Sequence, residues 1–97
     1  MTKPLIISVA VQRKIAELSS AEKRECAEAL LQLCESFGRP HLHSGLAVRK
    51  LGPGLFECRA SLALRFVFRD APDGVTVVFL GNHDEVQTLI RTRRFAR

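Results

Sequence analysis

The sequence has 97 residues, of which 46% are hydrophobic, and this predicts one small domain with a single modest core. No stretch approaches the roughly 18 consecutive apolar residues that a membrane-spanning helix needs, so no membrane partner is expected. Fifteen Lys and Arg against ten Asp and Glu give a net charge of +5, which favours an anionic partner.

The N-terminus and the cysteines bear on location. The first fourteen residues lack the long apolar run and small-residue cleavage site of a secretory signal. Cys26, Cys34 and Cys58 are odd in number and form no close pair suited to zinc or redox chemistry. We therefore expect reduced thiols and a cytoplasmic protein.

The first half of the chain predicts a helix hairpin. Residues 5 to 8 are compatible with a short strand, after which a helix is predicted on Val11, Ile15 and Leu18. Ser19 followed by Glu22 has the spacing of a capping box, which predicts the start of a second helix. The apolar positions of that helix are Cys26, Leu30, Leu33, Cys34 and Phe37. Gly38 and Pro40 then favour its end.

The second half predicts an antiparallel sheet of three or four strands. Residues 46 to 51 can form a short strand before a Gly-Pro-Gly turn. Residues 56–60 and 64–69 alternate apolar and polar side chains, with a turn near 61–63. Residues 70–74, DAPDG, predict a hairpin that leads into an apolar strand over 75–80.

A short C-terminal helix is expected from Asp84, with Val86, Leu89 and Ile90 facing inward. The predicted fold class is therefore α+β. It has an N-terminal helix hairpin packed on a curled, mainly antiparallel sheet and a short C-terminal helix, in a single domain over residues 1–97.

Basic side chains are expected to share one face of this sheet. With a turn near 61–63, Arg59 and Arg65 lie opposite each other, about 5 Å apart at their Cβ atoms. Two like charges in this arrangement repel, and an anion bound between them would relieve the repulsion. The alternative is an ordinary solvated face on which Glu57 compensates both arginines.

His83 is expected at the end of the strand that pairs with residues 64–69, and Arg49 and Lys50 can join the same face from the preceding strand. Arginines that stabilise a crowded phosphorus, with an imidazole that protonates a departing oxygen, are sufficient for metal-free RNA cleavage. The RNA supplies its own nucleophile, the 2′-hydroxyl. On the alternative interpretation, His83 caps the following helix or bonds to the backbone.

The histidines do not predict a metal site. His41-x-His43 places two imidazoles on one side of an extended segment, but no third ligand stands at a recognised interval. The chain also lacks a Gly-rich phosphate loop and a Gly-x-Ser-x-Gly elbow. We expect neither a metal nor a cofactor.

Three segments together resemble the RelE/ParE toxin superfamily: KLGPGLFECR (50–59), LRFVFR (64–69) and VVFLGNHDEV (77–86). The resemblance implies a helix hairpin over an antiparallel sheet. For RelE-like members it further implies cleavage of messenger RNA in the ribosomal decoding site, in a toxin-antitoxin system.

The resemblance also implies residue roles. Arg65 matches the strand arginine that holds the scissile phosphate, Lys50 matches a basic position, and His83 matches the general acid for the 5′-oxygen. The implied catalytic residues are His83, Arg65 and Lys50. Arg59 matches a frequent arginine, which we take as a supporting phosphate contact. From charge and the predicted face alone, Arg49 and the C-terminal Arg91, Arg93 and Arg94 are further candidates for RNA or phosphate binding.

The chain departs from the superfamily in having no Tyr or Trp. Many superfamily nucleases carry an aromatic residue shortly after the position of His83, where this chain has residues 87–89, Gln-Thr-Leu. Base stacking would then fall to arginine planes or to Phe95. The general base is left open between His43 and Glu57.

Three functions are compatible with the sequence. The first is a ribosome-dependent, metal-free mRNA endoribonuclease toxin, and the second is a ParE-like DNA gyrase inhibitor without nuclease chemistry. The third is an inactive or regulatory RelE-like RNA-binding domain. For a toxin, the expected partners are an acidic antitoxin laid across the basic face and messenger RNA on the ribosome.

Overall fold

A computed structural model describes residues 4–36 and 47–92 of the chain. The elements in chain order are β1 (Leu5–Ile7), α1 (Val9–Ala16), α2 (Ser20–Ser36), β2 (Arg49–Gly52), β3 (Leu55–Arg59), β4 (Arg65–Ala71), β5 (Gly74–Gly81) and α3 (His83–Thr92). The strands form one sheet in the order β1-β5-β4-β3-β2. No helix in the described ranges is long and apolar enough to cross a membrane.

Side-chain caps define where the first two helices begin. The Ser8 hydroxyl accepts a hydrogen bond from the Val11 amide at 3.2 Å, which starts α1. At α2, the Glu22 amide donates to Ser19 Oγ at 3.2 Å and the Ser19 amide donates to Glu22 Oε1 at 3.4 Å. This confirms the predicted capping box. The predicted end of this helix, at residues 37–40, lies outside the described residues.

The sheet is antiparallel from β2 to β5, and β1 pairs with β5 in parallel. The Val75 amide donates to the Pro4 carbonyl at 2.9 Å and the Ser8 amide to the Val77 carbonyl at 3.1 Å. The predicted α+β class is confirmed, and the sheet has five strands where three or four were expected. A three-residue strand is too short to carry a clear alternation, which is why the sequence left β1 uncertain.

One face of the sheet packs against the helix hairpin. The buried core contains Val11 of α1 and Cys26, Ala29 and Leu33 of α2. From the sheet it takes Cys58, Phe66, Phe68, Val75, Val77 and Leu80. Successive strand residues point to opposite faces, so the residues between these positions belong to the other face. We call this the open face; it carries Glu57, Arg59 and Arg65.

Two tight turns fix the register of the antiparallel strands. The Ala60 and Ser61 amides both donate to the Leu64 carbonyl, at 2.9 and 3.2 Å, and close the β3–β4 turn. This confirms the predicted turn near residues 61–63. Ala71 pairs with Gly74 across a two-residue loop in the predicted DAPDG hairpin.

Candidate functional site

A hollow of about 380 Å³ opens where the β3–β4 turn meets the start of α3. We call it the arginine hollow. Its walls are Arg59, Ser61, Leu62, Ala63, Leu64, Arg65, Asn82, His83 and Asp84. Two arginines and a histidine therefore line one space, which lies on the face of the sheet that carries Arg59 and Arg65.

Strand register brings the two arginines together. Arg59 of β3 pairs directly with Arg65 of β4, as the sequence predicted. Directly opposite residues share a face, with Cβ atoms about 5 Å apart. Arg65 pairs on its other side with Gly81, the last residue of β5. His83 follows Gly81 by two residues, and it therefore reaches the same hollow.

His83 is exposed and is the first residue of α3, one residue earlier than the sequence indicated. The cap of this helix is Asn82, whose Oδ1 accepts from the Glu85 amide at 2.8 Å. In return, the Asn82 amide donates to Glu85 Oε1 at 2.8 Å. The alternative in which His83 caps the helix is therefore wrong. The Asn-x-x-Glu spacing that makes this capping box is readable in the sequence, although the prediction missed it.

Gly81 keeps the junction between β5 and α3 narrow. A Cβ atom at this position would lie 2.8 Å from Phe79 Cε2 and 2.8 Å from Glu85 Oε1. Gly81 pairs with Arg65, so a Cβ at Gly81 would lie on the same face as the Arg65 side chain. Because that Cβ would meet Glu85 of α3, the helix begins on this face of the sheet. β5 is therefore connected to α3 by Asn82 alone, and His83 follows at the edge of the hollow.

Glu57 does not compensate the two arginines of the hollow in the way that the alternative interpretation expected. Its side chain is 2% exposed, and its Oε2 forms an ion pair with Arg49 Nη2 at 2.6 Å. Its Oε1 has no hydrogen-bond partner in the described part of the chain. Neither Arg49 nor Glu57 lines the hollow. Glu57 is therefore poorly placed to act as the general base there.

Lys50 lies on the other side of the sheet from the arginine hollow. It pairs with Phe56, which stacks on the fully buried Phe68 and packs against the hydrophobic core. Directly opposite residues share a face, so Lys50 points to the helix side and Arg49 to the open face. The expectation that Lys50 shares a face with Arg65 is therefore wrong. In the observed register, Lys50 lies opposite Phe56, and Arg49 lies opposite Glu57.

The remaining predicted residues lie elsewhere. Arg91 is exposed on α3, about two turns beyond His83, and donates to Thr88 Oγ1 at 3.3 Å. The predicted positions outside the described residues are His41, His43, Arg93, Arg94 and Phe95. The residues of the hollow that the sequence did not single out are Ser61, Leu62, Ala63, Leu64, Asn82 and Asp84.

The thiols do not contribute a nucleophile to this site. Burial, and secondarily the nearby charge of Glu57, raise the pKa of Cys58 to about 12. Burial likewise raises the pKa of Cys26 above its usual value. Both thiols are therefore neutral at physiological pH and pack as small apolar groups. Residues 4–36 and 47–92 also contain no group of three His, Cys, Asp or Glu side chains that could hold a metal ion.

Comparison with known proteins shows a similarity of fold to a solved structure. No protein-family model matches the chain, and no curated protein does. A chain in the crystal structure of the archaeal RelE-RelB complex from Pyrococcus horikoshii OT3 is similar in structure, with a TM-score of 0.70 and 23% sequence identity. The similarity covers 84% of this chain and 96% of that chain. The chain therefore has a RelE-like fold.

Proposed function

We propose that this protein is the toxin of a toxin-antitoxin system and cleaves messenger RNA on the ribosome without a metal ion. The observation that carries the proposal is the arginine hollow, in which Arg59, Arg65 and His83 face one space. The RelE-like fold supports the same proposal, because the structurally similar chain belongs to a RelE-RelB complex.

The two arginines provide the electrostatic part of the mechanism. Their guanidinium forks match the non-bridging oxygens of a phosphodiester, and the repulsion between the forks is relieved when a phosphate binds between them. As the 2′-oxygen of the RNA attacks, negative charge accumulates on the phosphorane oxygens. Fixed positive charge at that point stabilises the transition state more than the ground state.

His83 provides the proton for the leaving group. The bond from the 2′-oxygen to phosphorus forms and the bond from phosphorus to the 5′-oxygen breaks, while the imidazolium of His83 protonates the 5′-oxygen. The products are a 2′,3′-cyclic phosphate end and a 5′-hydroxyl end. Asp84 also lines the hollow, and in the proposed mechanism its carboxylate receives the 2′-hydroxyl proton.

An acidic protein is the fitting antitoxin. The open face presents Arg59 and Arg65 as direct cross-strand partners, and the nearby Glu57 is paired with Arg49. A carboxylate side chain of the antitoxin that enters the hollow would occupy the phosphate position and would block cleavage. The site of action that follows from this function is the cytoplasm, where messenger RNA is translated.

Expression of single variants in a bacterial host tests the proposal. We expect the unmodified chain to arrest growth and to produce cuts within translated messages, which primer extension detects. His83→Ala and Arg65→Ala should each restore growth and remove the cuts. Arg24→Ala, which removes an exposed arginine from α2 far from the hollow, is the matched control and should remain toxic.

Two outcomes would contradict the nuclease. Growth arrest that persists in the His83 and Arg65 variants, with altered plasmid supercoiling, would indicate a gyrase inhibitor. An unmodified chain that is expressed and folded but neither arrests growth nor cuts messages would indicate a regulatory RNA-binding domain.

A further inference from the structure

The proposed acid, His83, lies within the capping box at the junction of β5 and α3. We propose that Asn82 and Glu85 are positioning residues for His83, and that Gly81 provides the space they need. This inference rests on the proposed function, because it concerns how the imidazole is held beside the phosphate that Arg65 binds.

The first observation is that His83 lies inside the capping box. Asn82 before it and Glu85 after it exchange two hydrogen bonds of 2.8 Å each, and the Val86 amide donates to the Asn82 carbonyl at 3.0 Å. These bonds fix the backbone on both sides of His83. The direction in which its side chain leaves the helix is therefore determined by the cap.

The second observation is the space at Gly81. A Cβ atom there would approach Glu85 Oε1 to 2.8 Å and Glu85 Cβ to 3.0 Å, and the Phe79 ring closes the other side. The carboxylate of Glu85 can reach back to the Asn82 amide because Gly81 has no side chain. Gly81→Ala should therefore displace the Glu85 side chain and break the capping box. The substitution itself removes no hydrogen-bonding group.

The third observation is that the chain contains a second capping box with the same chemistry far from the hollow. Ser19 and Glu22 exchange equivalent bonds at the start of α2. If the capping boxes served only stability, removing either one would have the same kind of effect on the protein. Of these two boxes, only the one at α3 encloses residues of the arginine hollow, His83 and Asp84, and this difference separates positioning from stability.

Charge must be separated from hydrogen bonding at Glu85. Glu85→Ala removes both the hydrogen-bond acceptor and a negative charge, and loss of that charge near the hollow favours phosphate binding. Glu85→Gln removes the charge but keeps a side-chain oxygen that can accept from the Asn82 amide. If positioning matters, the glutamine variant should retain activity and the alanine variant should lose it.

The first experiment measures single-turnover cleavage of messenger RNA on purified ribosomes, with each variant confirmed as folded. We expect Glu85→Ala and Gly81→Ala to be about tenfold to a hundredfold slower, since a displacement of about 1 Å has an effect of this size. Glu85→Gln should remain within about threefold of the native rate. Glu22→Ala, the matched control at α2, should cleave at the native rate. Equal rates for Glu85→Ala and Glu22→Ala would overturn the proposal.

The second experiment does not depend on cleavage. Inorganic phosphate is titrated into the native protein and into Glu85→Ala while the NMR signals of the His83 ring and the Arg65 side chain are followed. In the native protein both groups should respond to phosphate together. In Glu85→Ala the Arg65 response should persist, and the His83 response should be lost or greatly reduced.

The two experiments distinguish the possible failures. A native chain that does not cleave RNA, but whose His83 loses its phosphate response in Glu85→Ala, would reject the proposed function and retain the positioning role. A His83 response that is unchanged in Glu85→Ala would reject the positioning role, whatever the cleavage rates are.

Discussion

At the scale of single residues, Arg59 and Arg65 form a like-charged pair across β3 and β4, and we propose that a phosphate binds between them. They are direct cross-strand partners, and the nearby carboxylate of Glu57 is bound to Arg49. Like charges placed directly opposite on neighbouring strands destabilise a sheet. Binding sites commonly contain such arrangements, in which a residue that is useful for function is unfavourable for stability.

Arg59→Ala should therefore stabilise the free protein. We expect the free energy of unfolding to rise by about 0.2–1 kcal/mol in low salt. The gain should shrink toward zero near 1 M salt, where charges are screened over about 3 Å. Urea unfolding of the native protein, Arg59→Ala and Arg24→Ala at two salt concentrations measures this. A loss of stability specific to Arg59→Ala would show that the pair is compensated.

Cys58 gives the fold a defined response to alkaline pH. The thiol has an ordinary pKa of 9.0, and burial raises it to about 12 in the folded protein. The unfolded chain thus loses this proton first, and the stability contributed by the neutral thiol is complete below pH 9.0 and is lost as the pH rises to about 12. The slope over this window is about 1.4 kcal/mol per pH unit.

The matched comparison is Cys58→Ala, which removes the titrating group. We expect this variant to be less stable than the native protein at neutral pH, because it leaves a small cavity in the core. The difference in the free energy of unfolding should narrow between about pH 9 and about pH 11. A difference that stays constant across this range would mean that Cys58 ionises equally in both states.

At the scale of elements, the sequence predicts those parts whose pattern is long or chemically distinct. The capping box at Ser19 and the turn near residues 61–63 were readable, and that turn is enough to place Arg59 opposite Arg65. The side of the sheet that Lys50 faces was not readable. β2 has four residues with an irregular register between Lys50 and Gly52, so its phase is decided by pairing with β3 and not by its own alternation.

The short parallel strand β1 depends on a glycine in β5. Gly74 has φ +156°, and a Cβ there would lie 2.9 Å from the Pro4 carbonyl oxygen. That same carbonyl accepts the Val75 amide at 2.9 Å, so β1 cannot move away without losing this bond. Gly74 is therefore needed for β1 to join the sheet.

Gly74→Ala should lower the free energy of unfolding by about 1–3 kcal/mol, the range for a strained backbone position. Gly52→Ala is the matched control, because nothing lies within 4 Å of its added Cβ. The control should change stability by no more than about 0.5 kcal/mol. Urea unfolding measures both. Equal effects of the two substitutions would contradict the role assigned to Gly74.

At the scale of the whole molecule, the two faces of one sheet separate folding from the proposed chemistry. The face that packs on the helix hairpin buries the apolar core, and the open face carries the arginine hollow and the buried Glu57, which pairs with the exposed Arg49. Arg59, Arg65 and His83, which are not part of the buried core, are therefore replaceable with little loss of core packing. This separation makes activity measurements on His83 and Arg65 variants interpretable, because the variants should remain folded.

The most direct test of the proposed function is the chemistry of the cut ends, measured with purified protein, ribosomes and messenger RNA. We expect 2′,3′-cyclic phosphate and 5′-hydroxyl ends without added cofactor. His83→Ala should give the same ends about a hundredfold to ten-thousandfold more slowly, the usual contribution of a general acid. Ends that carry a 5′-phosphate, or a rate unaffected by loss of both His83 and Arg65, would contradict it.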